Sequence, residues 1–129
     1  MIIIFPYSFL SVLVTTIIKK YTLTHHIHQK VRFINSYRSY KTYTFTTYFI
    51  IQSRFLTPEK MFHYLENIRT YSQSANIIII GSHIDYDKLY KNHYRIFGII
   101  DTTKNKSLTF IREQIHLYMK AIYHTNKSD

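Results

Sequence analysis

Cysteine and tryptophan are absent from this 129-residue chain, and glycine occurs only twice. Without Cys there is no disulfide framework, no thiolate zinc site and no Cys nucleophile. The two glycines, Gly81 and Gly98, stand seventeen residues apart. A Gly-rich phosphate loop, of Walker A or Rossmann type, needs several glycines within a few residues and is excluded. The third deficit is acidic. No Asp or Glu occurs between Met1 and Pro58, against seven Lys and Arg, whereas Glu59 to Asp129 carries seven acids and ten bases. The formal net charge is +10. Folded soluble surfaces mix both signs, so the two halves differ, with a boundary near Ile50. What is plentiful is apolar and aromatic: 46% of residues are hydrophobic, and 13 Tyr and 9 Phe are present. That is not the composition of a disordered segment, and the length fits one domain or part of one. The wealth of Ile, Lys, Asn and Tyr also fits an AT-rich coding sequence.

Three segments follow: a hydrophobic stretch over 1–20, a basic Tyr/Thr-rich stretch over 21–47, and an α/β unit over 48–129. Met1 to Ile18 carries no charged side chain and ends at Lys19-Lys20. A run of roughly that length can just span a hydrocarbon core. One reading is a membrane anchor through residues 2–18, its basic flank in the cytoplasm. Pro6, Tyr7, Ser8, Ser11, Thr15 and Thr16 weaken it. A cleaved signal peptide fits less well, because there is no basic n-region and no small-x-small cleavage site. The rivals are one or two buried strands, since Ile, Val and Thr dominate, and a non-native extension from a truncated gene.

Tyr21 to Tyr48 interleaves bases with aromatics. Tyr37, Tyr40, Tyr43, Phe45 and Tyr48 follow neither a period of 2 nor one of 3.6. Such a segment can stack on and neutralise single-stranded nucleic acid, but no RNA-module signature accompanies it. His25, His26 and His28 cluster, and on a strand His26 and His28 would share a face. No third ligand stands at metal-site spacing, so no metal site is assigned.

The C-terminal signals are sharper. Tyr48 to Gln52 is a short apolar run. Thr57 offers an N-cap hydroxyl, Pro58 suits the first helical position, and Glu59 suits the positive end of a helix dipole. Met61, Phe62, Leu65 and Ile68 follow at helical spacing, predicting a helix from Pro58 to about Tyr71. Asn76 to Gly81 contains four consecutive isoleucines, the pattern of a strand buried on both faces of a parallel sheet. Arg95 to Ile100 is a second such run, with Gly98 inside it marking a close backbone approach or a bulge. Ser107 caps a final helix to Tyr123, whose stripe is Leu108, Ile111, Ile115, Tyr118, Met119 and Ile122. Strands alternating with helices predict a parallel sheet with helices on its faces. In such sheets ligands bind beyond the carboxyl ends of the strands. Here those positions are Gly81-Ser82-His83-Ile84-Asp85 and Asp101-Thr102-Thr103-Lys104.

These two loops carry a family resemblance. Ile77 to Asp85, ending Gly-Ser-His-Ile-Asp, resembles the guanine-specificity strand of Ras-like GTPases. Its closest pattern is the Gly-Thr-His-x-Asp of the Roc domain in Roco proteins, including the leucine-rich-repeat kinases. Tyr64-Leu65-Glu66-Asn67-Ile68 is similar to the Trp-Leu-x-x-Ile of the preceding Roc helix. Thr102-Thr103-Lys104 resembles the second base loop, Ser-Ala-Lys or Ser-Thr-Lys. The similarity covers about Tyr48 to Tyr123.

The resemblance implies a partial Ras-like (P-loop NTPase-type) α/β parallel sheet with flanking helices, preceded by a non-matching hydrophobic segment. It implies guanine nucleotide, GTP or GDP, as ligand. Asp85 would accept guanine N1–H and the N2 amino group, and His83 would lie over the purine plane. Ser82 would tie the loop together, with Thr102 beside it. Thr103 would donate its backbone N–H to O6, and Lys104 would pack on the base. The plainer reading of Asp85 is a helix cap. A GTPase also needs a P-loop Lys and Ser/Thr for phosphates and Mg²⁺, and a switch with Asp-x-x-Gly. Neither is present, so no Mg²⁺ site and no catalytic residue are assigned. No kinase motif is present either, and that activity does not transfer. The expectation is a fragment holding the base-recognition half of a Roc domain, cytoplasmic or membrane-associated. Its partner would be the missing half-domain or another chain at an open sheet edge. The alternatives are a small basic membrane-anchored protein and a nucleic-acid-binding module.

Overall fold

The computed structural model describes residues 1–34, 46–53 and 56–123. Strands and helices alternate along them: β1 (Ile2–Phe5), α1 (Phe9–Thr24), β2 (Val31–Phe33), β3 (Thr47–Ile51), α2 (Pro58–Tyr71), β4 (Asn76–Gly81), α3 (Tyr86–Lys91), β5 (Gly98–Asp101) and α4 (Leu108–Tyr123). The five strands form one sheet in the order β2-β1-β3-β4-β5, every neighbouring pair parallel. This is one of the two common orders of doubly wound α/β sheets. The chain is thus α/β with helices flanking a parallel sheet.

Unalternated Ile runs suit this position because successive side chains enter opposite faces and both are covered. Ile3, Phe5, Tyr48, Ile50, Ile77 and Ile79 share one core with Met61, Phe62, Leu65 and Ile68 of α2 and Leu89 of α3. Ile2, Ile4, Phe49, Ile51, Ile78 and Ile80 share the other with Val14, Ile18 and Tyr21 of α1 and Ile111, Ile115 and Met119 of α4. Each fully buried side chain of this kind contributes about 1.5–3 kcal/mol. The predicted helix caps form: Thr57 Oγ1 accepts from the Lys60 N–H at 3.3 Å, and Ser107 Oγ from the Phe110 N–H at 3.2 Å.

In the N-terminal segment the buried-strand alternative holds for residues 2–5, while the segment is helical from Phe9 on. Ile2–Phe5 is fully buried and lies in the sheet, flanked by β2 and β3. Residues 9–24 form α1, opened by a reciprocal cap in which Ser11 N–H donates to Ser8 Oγ at 3.1 Å and Ser8 N–H to Ser11 Oγ at 2.7 Å. The segment is therefore packed into the sheet and onto its face, and is not a poorly packed extension. Among the described residues no helix is long and apolar enough to cross a membrane. The physical reason is Pro6-Tyr7-Ser8, which divides the uncharged run into a strand and a helix. The half-sheet that the resemblance implies is extended, because β1 pairs with β3. Among the described residues the sheet edges are β2 and β5.

Smaller differences have local causes. β5 begins at Gly98 rather than Arg95, because Arg95 adopts φ 56°, outside extended space. His26 and His28 do not share a strand face. His25 caps the end of α1, and His26 has φ 54°. No group of three His, Cys, Asp or Glu among the described residues could hold a metal ion. The aromatics Tyr37, Tyr40, Tyr43 and Phe45 lie outside the described residues.

Two close contacts explain the glycines. A Cβ at Gly81 would stand 2.9 Å from the Gln52 carbonyl oxygen, which is backbone and cannot yield. A Cβ at Gly98 would run into the Tyr118 ring, which lies across β5 and donates its hydroxyl to the Ile99 carbonyl at 3.3 Å. Gly98→Ala is expected to cost about 1–3 kcal/mol by overpacking. Urea denaturation measures it, and Tyr118→Leu in the same chain should recover part of the loss.

A polar device that joins three parts of the fold is Arg69, near the end of α2. Its Nε donates to the Tyr94 carbonyl at 2.6 Å, its Nη1 to that of Ala75 at 2.9 Å and its Nη2 to that of Arg95 at 2.6 Å. One guanidinium so joins α2, the entry to β4 and the approach to β5. Burial, and then the charge of Arg95, lower its pKa from the ordinary value.

Candidate functional site

The loops that follow β4 and β5 meet at the carboxyl end of the sheet, because these strands are parallel neighbours with Gly81 opposite Asp101. Thr102 N–H extends the pairing, donating to the Gly81 carbonyl at 2.8 Å. The His83 N–H then donates to Thr103 Oγ1 at 2.9 Å, and the Thr103 hydroxyl passes its own proton to Asp101 Oδ1 at 2.5 Å. The Thr103 N–H donates to the same Oδ1 at 2.9 Å. This is an Asx-type turn, in which a side chain takes the place of a backbone acceptor. The Tyr86 hydroxyl donates to Asp101 Oδ2 at 2.6 Å. Asp101 thus joins both loops to the start of α3.

The structure brings Ser82, His83, Thr102 and Thr103 together. His83, Asp85, Thr103 and Lys104 are exposed, Ser82 is half-buried and Thr102 is buried. His83 has φ 55°, a left-handed conformation that His tolerates better than most residues. Asp85 is the N-cap of α3, its Oδ1 accepting the Lys88 N–H at 3.1 Å. A carboxylate has about four lone-pair directions, so this cap leaves acceptor capacity on both oxygens. The Thr103 amide, assigned by resemblance to guanine O6, has Asp101 as its partner instead. Tyr86 and Asp101 were not singled out in the sequence. The signal was Asp-Thr-Thr at a strand end, where Asp and Thr side chains bond the backbone two residues on.

The electrostatics follow from these bonds. Hydrogen bonds from the Thr103 and Tyr86 hydroxyls and the Thr103 amide hold the Asp101 carboxyl below its usual 3.8, and the nearby His83 assists. The bond to Asp101, followed by burial, pushes the Tyr86 phenol up to about 12. The two linkages bound one pH window. Asp101, with its lowered folded value, contributes stability above 3.8, lost as pH falls through the lowered pKa. Tyr86, with its raised value, contributes stability below 10, lost as pH rises toward about 12. Asp101→Asn is expected to return the Tyr86 pKa toward 10. Carbon-13 NMR of labelled Tyr reads this directly, and a phenol that stays near its raised value would refute the bond as cause.

At the first strand–helix junction, where β1 meets α1, only Pro6, Tyr7 and Ser8 intervene. Pro6 has no N–H, and the Ser8 hydroxyl is engaged in its cap. A Walker loop places four residues between its first Gly and its Gly-Lys pair, so this connection is too short to be one.

Comparison with protein families, with curated proteins and with solved structures finds no match to this chain.

Proposed function

We propose that the chain is a Roc-like, Ras-type domain that keeps the guanine-base loops and has no phosphate loop. It would bind guanine nucleotide weakly or not at all on its own, and it has no catalytic apparatus. The observation that carries this reading is the direct bond between the two loops, His83 N–H to Thr103 Oγ1, across adjacent parallel strands. The order Gly-Ser-His-x-Asp, then Thr-Thr-Lys, follows two neighbouring parallel strands, which supports the reading. Asp85 would read the N1–H and N2 amino edge, a bidentate contact worth about 1–3 kcal/mol of base discrimination by analogy with base readout. His83 and Lys104 would flank the ring, and Ser82 and Thr102 would hold the loop. The Thr103 amide reaches guanine O6 only if Asp101 releases it. A few base contacts must offset the entropy of holding a ligand. Affinity in this fold comes largely from phosphate and Mg²⁺ contacts.

The test is calorimetry of the folded chain with GTP and Mg²⁺, beside amide NMR with GMP and with AMP. We expect a Kd near or above roughly 1 mM and no hydrolysis above a buffer blank. We also expect amide shifts at 82–85 and 102–104 that are larger for GMP, and loss of that preference in Asp85→Ala. Micromolar GTP binding, turnover, or equal shifts with AMP would refute the reading. A separately supplied half-domain would have to displace β1 from β3 before it could pair there.

A further inference from the structure

α1 and α4 lie side by side on one face of the sheet and flank a half-open cavity of about 420 Å³ between them, within the usual range for small-molecule sites. The two ends of this cavity differ in chemistry. Both helices follow strands of one parallel sheet, so they run in the same direction, and their early residues Leu13 and Leu108 line one end with Ile17 between. Their later residues, Lys20 and His25 of α1 and Arg112 and His116 of α4, line the other. The Tyr21 ring joins the two imidazoles there, with centroids 4.1 Å from His25 and 5.0 Å from His116. No carboxylate lines the cavity among the described residues. On α1 the apolar line continues outward to Phe9, 81% exposed and two turns before Ile17.

We infer that this cavity is a binding site for a single-chain anionic amphiphile, an acyl chain ending in a carboxylate. The chain would lie along Leu13, Ile17 and Leu108 toward Phe9, and the head would sit among Lys20, Arg112 and His116. An acyl chain there buries apolar surface that the helices leave open. A carboxylate relieves the crowding of like charges, because it can accept two N–H bonds from the Arg112 guanidinium. The crowding is real: burial first, then the charges of Arg112 and His25, lower the His116 pKa. Facing that imidazole are Lys20, Tyr21 and His25 from α1 and Arg112 from its own helix. The head-group end of the site lies toward the far ends of α1 and α4 from the base loops, whereas Leu108 at its apolar end follows the second base loop closely; the inference does not depend on the nucleotide reading.

The probe is decanoate below its micellar concentration, with decanol and decyltrimethylammonium as head-group controls. Titrations are followed by amide and imidazole NMR on the whole chain. Decanoate should saturate one site, with shifts confined to α1 and α4 and the His116 pKa rising. Decanol should bind about tenfold more weakly, the worth of one charge-assisted contact, and the cationic amphiphile should not compete. Arg112→Gln, at an exposed position, should leave the thermal midpoint in place and weaken decanoate about tenfold. Ile17→Asp should abolish binding by placing a charge in the apolar half. Equal affinity for decanol, scattered shifts, or an unaffected Arg112→Gln would overturn the inference. So would vesicles of phosphatidylglycerol that bind through these residues while monomeric decanoate does not, since the face would then be a membrane-docking surface.

Discussion

Ile3→Asp should abolish cooperative folding. Ile3 is fully inaccessible and pairs in register with Arg32 of β2 and Tyr48 of β3. Its side chain enters the core shared with α2. The substitution removes about 1.5–3 kcal/mol of apolar burial and places a carboxylate in that apolar core, beside Arg32 of β2, whose own side chain is exposed. An unpaired buried charge costs several kcal/mol more, or the group takes up a proton at a smaller cost. Domains of this size hold about 5–15 kcal/mol in total, so the change removes much or all of the margin. Far-UV circular dichroism through a urea titration should show no sigmoidal transition. A chain lacking the first 46 residues should behave alike, having lost β1, α1 and β2 together. If either variant unfolds at the parent's midpoint, the N-terminal segment is an appendage to a domain that stands without it.

The second large effect is expected at Arg69. Arg69→Ala leaves the carbonyls of Ala75, Tyr94 and Arg95 without their shared donor. Hydrogen bonds from a charged donor contribute about 1.5–3 kcal/mol each, and half-buried acceptors recover part of that from water. A net loss of about 2–4 kcal/mol is expected on that basis. Arg69→Lys should restore little, because an ammonium is a point charge and cannot span carbonyls that a planar fork reaches at once. The backbone should loosen locally too, and hydrogen exchange at 72–76 and 93–97 should quicken in both variants. Full stability in the Lys variant would show that charge alone, and not the fork, holds this corner.

Much of this architecture is readable in the chain, for stated reasons. β4 and α2 were plain because four isoleucines without a polar partner suit only a doubly covered strand, and Thr57-Pro58-Glu59 opens a helix by three mechanisms at once. α4 was plain from its stripe. β1 and α1 were not, because an uncharged run has no amphipathic contrast and hides a strand and a helix in one hydropathy signal. α1 is also rich in Val, Ile and Thr, which favour strands locally, and sheet packing overrides that preference. The loops after β4 and β5 were located by motif. The roles of Asp101, Tyr86 and Arg69 were not, since each rests on partners that only the fold brings close. For Arg69 the farthest acceptor is 26 residues on.

β1 waits longest for its partners. Ile2 pairs with Val31 on one side and Thr47 on the other. During synthesis, at about 5–20 residues per second, β1 emerges roughly 2–9 seconds before β3 exists. Until β2 emerges Ile-Ile-Ile-Phe has both edges bare, and until β3 emerges one edge still is, with a helix-forming segment that carries no charge before Lys19 directly behind it. A chain so ordered is most vulnerable at the ribosome. Its yield in cells should depend on holding chaperones and on the speed of translation before Ile51, far more than on the stability of the finished fold.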